Sequence, residues 1–196
     1  IMADGTLKVG TITTSSGSGT ITLGQSGESV TVPSGATLDM SSGTMTLNSS
    51  MKNTPAFLVA QSSNQSIAAS TEVELTWGTE HVDTDNAFAS NRFTVPSGEA
   101  GLYCFTLTVQ FNGTASGGGT GPGIRRFDSS DNPYTSGGGN ADGTLNLSFG
   151  TNGFNMAVTY RMEVGDYVKA VVYQANGTQT TYAPRTFFGG HKLIGT

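Results

Sequence analysis

The sequence predicts an all-β protein: a sandwich or jelly roll of many short strands, preceded by a stalk made of a shorter β repeat. Three observations carry this. From residue 56 onward, short apolar segments recur at regular spacing between Gly-, Asn- and Pro-containing turns. The strongest of them alternate with period two, and none carries a 3.6-residue stripe. Residues 5 to 50 are almost wholly Gly, Ser and Thr with isolated Ile, Val, Leu and Met.

The N-terminal segment comes first. Gly10-Thr11-Ile12-Thr13, Gly19-Thr20-Ile21-Thr22-Leu23, Ser29-Val30-Thr31-Val32 and Gly43-Thr44-Met45-Thr46-Leu47 form a loose repeat, with anchors Ile12, Ile21, Val30 and Leu38 about nine residues apart. Each unit alternates apolar and polar but is too short to bury its stripe alone. It must stack on its neighbours or on other chains. The reading for residues 1–50 is therefore a stalk, either a solenoid within one chain or an intertwined three-chain β prism. Residues 51–55, Met-Lys-Asn-Thr-Pro, read as a hinge.

Residues 56–196 form the head. Strands are expected at 56–61, 72–77, 92–95, 102–112, 123–127, 145–149, 155–162, 167–174 and 186–193. Turn signals separate most of them, among them Pro96-Ser97-Gly98, Asn152-Gly153 and Asn176-Gly177. In the clearest strand, Tyr103, Phe105, Leu107, Val109 and Phe111 share one face, and Cys104, Thr106, Thr108 and Gln110 the other. The first set faces the core, together with Phe93, Val95, Val168 and Phe187. Strand 167–174 is apolar on both faces, so its second face is assigned to contact with another subunit.

Composition narrows the function classes. Only 12% of the 196 residues are charged, against roughly 25% in ordinary domains, and Gly contributes 28. A surface covered by Ser, Thr, Asn and Gly suits a protein outside the cell or on a particle. Net charge is −5, and nine scattered Lys and Arg give no nucleic-acid footprint. No apolar run is long enough to span a membrane. The chain opens without a basic region or apolar core of an export signal, which points to release by cell lysis. A single cysteine, Cys104, allows no disulfide within the chain.

Candidate chemistry is sparse. His81 lies in Glu80-His81-Val82-Asp83-Thr84-Asp85 and reads as a polar loop, with a metal site as the alternative. His191, in the last strand, reads as a packed or surface residue. Asp128 and Asp131, in Asp128-Ser129-Ser130-Asp131-Asn132, read as an Asx-rich turn or as oxygen ligands for Ca²⁺. No other cofactor is expected. The run Gly117–Gly123 lacks the Lys-Ser/Thr ending of a phosphate loop. Cys104 has no His beside it in sequence to activate a thiol. The polar loops around 113–123 and 128–142 place Arg125, Arg126, Tyr134, Asn140 and Asp142 as the side chains for contacting a ligand.

Three segments then carry a resemblance over residues 56–196. Phe93-Thr94-Val95-Pro96 followed by Gly101-Leu102-Tyr103-Cys104-Phe105, then Met162-Glu163-Val164-Gly165-Asp166-Tyr167-Val168, then the closing Thr186-Phe187-Phe188-Gly189-Gly190-His191-Lys192-Leu193, resemble the signature of the C1q/TNF-like jelly-roll domain. The resemblance implies ten strands and a compact homotrimer. With the Gly/Ser/Thr stalk in place of a collagen-like one, the whole chain resembles small fibre and spike proteins of tailed bacteriophages. That implies a non-enzymatic virion protein, located on the particle surface. Its stalk would attach to head or tail proteins and its head would bind a host-surface glycan or protein. A capsid decoration or head-fibre protein with a structural role is the alternative. An extracellular hydrolase would need a pair of carboxylates that only the fold could bring together.

Overall fold

The structure is a computed structural model that describes residues 10–12, 20–23, 26–47, 51–113, 121–136, 140–141, 153–175 and 177–194. The chain divides into two units, residues 1–45 and 46–196. In the first unit the described residues form turns, such as the bond from the Ala36 N–H to the Pro33 carbonyl, and no strand. Ile12, Ile21, Leu23, Val30, Val32 and Leu38 are all exposed. The alternating stripe thus finds no partner within the described residues of one chain.

The second unit is a sandwich of two five-stranded sheets. The strands, in chain order, are β1 (Ala56–Ala60), β2 (Ser66–Ile67), β3 (Thr71–Glu74), β4 (Thr79–Asp83), β5 (Phe88–Ala89), β6 (Arg92–Thr94) and β7 (Gly101–Gln110). Then follow β8 (Gly121–Phe127), β9 (Thr135–Ser136), β10 (Asn140–Ala141), β11 (Gly153–Met162), β12 (Tyr167–Gln174), β13 (Gln179–Thr180) and β14 (Phe187–Lys192). One sheet runs β11-β7-β14-β1-β4. The other has β12 at its centre, with β8 along one side and β3 and β6 end to end along the other; β5 continues from β6. All pairings are antiparallel. The short pairs β2–β13 and β9–β10 lie outside the two main sheets.

Period-two alternation builds the core. Along β7 the Tyr103, Phe105, Leu107 and Val109 side chains are fully buried, while Cys104, Thr106 and Thr108 turn outward. Phe93, Val95, Phe111 and Val168 join them as expected. Phe57 stacks on Phe88 and Phe93 with centroids 5.0 and 4.9 Å apart, and Phe188 meets it edge-on at 5.0 Å. One core assignment needs correction. Phe187 is only half-buried, and Phe188 fills the core. Two adjacent phenylalanines in a strand must face opposite sides, and the register Phe188↔Leu107 selects the second.

Two further readings change, and one hairpin is added. The segment around His81 is no loop but strand β4, at the open edge of its sheet; its polar residues suit that place. Strand β5 returns into β6 through Ser90 and Asn91, both at positive φ, a tight two-residue hairpin. The second face of β12 is not left for another subunit, because Tyr167 and Val171 are already buried within this chain. The strand expected at 145–149 lies outside the described residues.

Close packing leaves no room at Gly190. A Cβ there would stand 2.4 Å from Cδ1 of Phe105 and 3.0 Å from Cε1 of Phe57. At one end of the sandwich, Lys192 is 4% exposed and its Nζ lies 3.0 Å from Glu99 Oε2. This pair ties β14 to the turn between β6 and β7, and the Tyr103 hydroxyl donates to the Glu99 carbonyl beside it.

Two expectations follow. Phe105→Ala should cost about 3–5 kcal/mol, read as the midpoint shift in urea unfolding; a melt lowered by only a degree or so would contradict the core assignment. Glu99→Gln leaves Lys192 charged, buried and unpaired, and should cost roughly 3–5 kcal/mol. Replacing both with apolar residues should recover most of that loss, again by urea unfolding.

Candidate functional site: a loop anchor and an uncharged sheet face

The residues proposed for ligand contact divide on inspection. Arg125 and Arg126 lie in β8, not in a loop. Arg125 is paired with Glu72 of β3 across the outer face of its sheet, and Lys169 of β12 reaches Glu74 at 3.0 Å. The β12 register explains the geometry, since Lys169 lies opposite Arg125 and Tyr173 opposite Glu72. Arg125 is therefore a strut between strands.

Arg126 is an anchor. Its guanidinium lies 3.4 Å from the Tyr134 ring centroid and 5.3 Å from that of Tyr160. Nη1 donates to the Arg161 carbonyl at 2.6 Å. The Tyr134 hydroxyl donates to Asp166 Oδ2 at 3.1 Å, and the Glu163 N–H donates to the same oxygen at 3.0 Å. Burial, and then the bond to Asp166, raise the Tyr134 phenol above its usual range, so it remains a donor. Arg126, Tyr134 and the buried Asp166 thus hold the base of the loop after β8. The structure brings Arg126 and Tyr134 together. Asn140 lies in β10, and Asp142 falls outside the described residues.

The Asp128 turn is closed on itself. Oδ1 of Asp128 accepts from the backbone N–H groups of Ser130 at 2.8 Å and Asn132 at 2.9 Å, and the Asn132 side chain donates to Oδ2 at 2.9 Å. These bonds, the Asn132 side chain first, hold the Asp128 carboxyl below its usual range. Its oxygens are committed to N–H donors, the Asx turn of the first reading. Asp131 points away, exposed, at φ 64°, with Arg92 at 3.9 Å. Among the described residues no three Asp, Glu, His or Cys side chains gather where a metal ion would sit.

The feature that sequence reasoning missed lies on the other sheet. Its outer face is set by register. Leu58 of β1 is flanked by Val82 and Gly189, and Gly189 by Thr106. In the next row Ala56, His191, Cys104 and Thr159 follow one another across four strands. These positions hold no carboxylate and no Lys or Arg. Leu58 is 38% exposed and Val82 43%. Gly189 borders a hollow here, and a Cβ at this position would crowd the Phe57 carbonyl at 3.1 Å and Leu58 Cδ1 at 3.2 Å. The hollow measures about 370 Å³ and is lined by Leu58, Val82, Thr106, His191 and Asn53, among others. The pairing also sets Cys104 directly opposite His191, a proximity invisible across 87 residues of sequence. No hydrogen bond among the described residues joins the two. The only available signal was the alternation of Cys104 and Thr106 with the core residues of β7.

The two outer faces therefore differ in kind. One is crossed by ion pairs of its own; the other, across the rows through Leu58 and His191, holds no carboxylate, Lys or Arg and is partly apolar and open. Leu58 and Val82, exposed beside the hollow, make this face the candidate contact surface.

The Asp128 turn has a direct test. A carboxyl with a lowered pKa stabilises its surroundings above the ordinary carboxylate range, and that contribution fades as pH falls through the lowered value. Asp128→Ala, compared with wild type at one fixed pH above the carboxylate range, should speed hydrogen exchange at the Ser130 and Asn132 amides. Exchange in β7 should be unaffected by the substitution.

No protein-family model matches the chain, and no curated protein sequence matches it either. Solved structures do. Murine APRIL, crystallised at pH 8.5, is similar with a TM-score of 0.50 at 15% identity, over 70% of this chain and 98% of that one. The Eiger TNF of S. frugiperda has a TM-score of 0.50 at 10% identity, over 72% and 93%. The globular domain of zebrafish complement 1qA protein has a TM-score of 0.48 at 13% identity, over 71% and 98%. At these identities the likeness is one of fold. The head of this protein is a C1q/TNF-type jelly-roll sandwich.

Proposed function

We propose that the protein is a non-enzymatic, trimeric virion fibre or spike protein whose head binds the host cell surface. The observation that carries the trimer is the open outer face of the β11-β7-β14-β1-β4 sheet, uncharged along the rows through Leu58 and His191. Leu58 and Val82 stand exposed on it beside a hollow floored by glycine. A closed ring of three heterologous contacts covers such a face once per subunit and terminates itself. The exposed repeat of Ile12, Ile21, Val30 and Leu38 supports the same reading, because three chains wound together bury a stripe that one chain leaves in water.

Host binding is assigned to the loop anchored by Arg126, Tyr134 and Asp166. A loop fastened at its base presents Ser129, Ser130 and Asp131 to solvent on a rigid scaffold. Polar, neutral and weakly acidic side chains of this kind suit a glycan or a polar protein surface. The sparse charge of the whole chain supports a place on a particle rather than in the cytoplasm. Residues 1–50 would attach it there.

Light scattering on the purified protein should give a mass near three times the 20.2 kDa chain. Leu58→Glu should yield a folded monomer, because a charge in the centre of a buried contact costs several kcal/mol. A wild-type monomer would refute the assembly. Fluorescently labelled protein should stain host cells and compete with infection; staining of capsids alone would instead identify a structural decoration protein.

A further inference from the structure

Histidine is the one ordinary side chain whose charge changes between about pH 5 and 8. His191 is half-buried, stands in the second row of the open sheet face and lines its hollow. Its surroundings can be named element by element. On its own strand the neighbour on this face is Gly189. From β7 it faces Cys104, from β1 Ala56, and one strand further on Thr159 of β11. The segment before β1 brings Asn53 to the hollow, with Lys52 next in sequence. From β4 come Val82 and, past the strand end, Thr84, whose hydroxyl accepts from the Ala56 N–H at 3.0 Å and donates to Asp85. Arg161 of β11 follows Thr159 on the same face and lies 4.0 Å from Glu163. No carboxylate pairs with His191 among the described residues.

We infer that His191 makes subunit association through this face pH-dependent, with assembly favoured when the imidazole is neutral and weakened when it is protonated. The inference rests on the trimer reading above and adds its regulation. Neutral His191 fits beside Cys104, Ala56 and Thr159 with no charge to desolvate. Once protonated, each subunit carries one cation into the contact with no carboxylate paired to it among the described residues; Asp85, the acid reached through Thr84, already accepts from the Thr84 hydroxyl. Burying an uncompensated charge is far more costly than burying a neutral ring. The exposed state of the face has no such penalty, so protonation shifts the balance toward separated subunits. The buried Lys192 is no substitute cation for the face, since it points inward to Glu99.

The test is analytical ultracentrifugation of the full chain at about pH 8 and about pH 5.5, for wild type, His191→Gln and His81→Gln. Wild type should be trimeric at the higher pH, with association weakened roughly tenfold or more at the lower one, a difference of about 1.4 kcal/mol per tenfold step. His191→Gln should associate equally at both. His81→Gln, on the exposed edge strand, should behave as wild type, and circular dichroism identifies any variant that has lost its fold. A wild-type trimer unchanged by pH overturns the switch and leaves the trimer standing. So does a pH dependence that survives in His191→Gln. A monomer at pH 8 overturns both.

Discussion

The structure depends on one constraint, the two-sided alternation of β7. This strand lies between β11 and β14 and is paired along its whole length with β11. Its even and odd positions serve different purposes. Tyr103, Phe105, Leu107 and Val109 fill the space between the sheets, where each buried side chain contributes roughly 1.5–3 kcal/mol. Cys104, Thr106 and Thr108 form part of the outer face. A slip of one residue would exchange the two sets, putting four large apolar side chains in water and threonines in the core. That asymmetry locks the registers of β11 and β14, and through β14 that of β1.

The aromatic packing turns this register into a single arrangement. Phe57, Phe88, Phe93, Phe105 and Phe188 meet as stacked, tilted and edge-on pairs across both sheets. Where the rings crowd, the backbone has only glycine to offer. Gly190 faces inward to Phe105 and Phe57, while Gly189 faces outward and borders the hollow. One Gly-Gly pair thus serves both sides of β14. It admits the core rings on one face and shapes the contact surface on the other.

Charge is distributed with similar economy. The β12 sheet uses its few ionic groups on itself: Arg125 with Glu72, Lys169 with Glu74, and Arg92 over the Tyr167 ring at 4.4 Å. These pairs are partly covered, Arg125 more than its partner Glu72. Their effect is to leave that face with its charges matched. On the outer face of the β7 sheet Arg161 lies beside Glu163, and the rows through Leu58 and His191 hold no carboxylate, Lys or Arg. The loop after β8 is held at its base by a buried acid, a phenol and a guanidinium.

The sequence by itself determined the β architecture and most of the core. Period-two alternation is a local property, and Phe93, Val95, Tyr103, Phe105, Leu107, Val109, Phe111 and Val168 could be placed by it. The C1q/TNF-like signature segments led to the fold that the solved structures match. Local pattern failed where two answers were locally equal. Phe187 and Phe188 are interchangeable until the Leu107 pairing chooses between them. Polar edge strand β4 and the Ser90-Asn91 hairpin lack the apolar run and the glycine turn that usually mark them. The candidate sites depended still more on tertiary structure. Arg125 and Arg126 read alike in sequence, yet one is a strut and the other an anchor, because neighbouring strand residues face opposite ways. Cys104 and His191 meet only because β7 and β14 are adjacent and antiparallel. Uncharged rows running across β1, β14 and β7 are a property of strands laid side by side, and no single strand displays them.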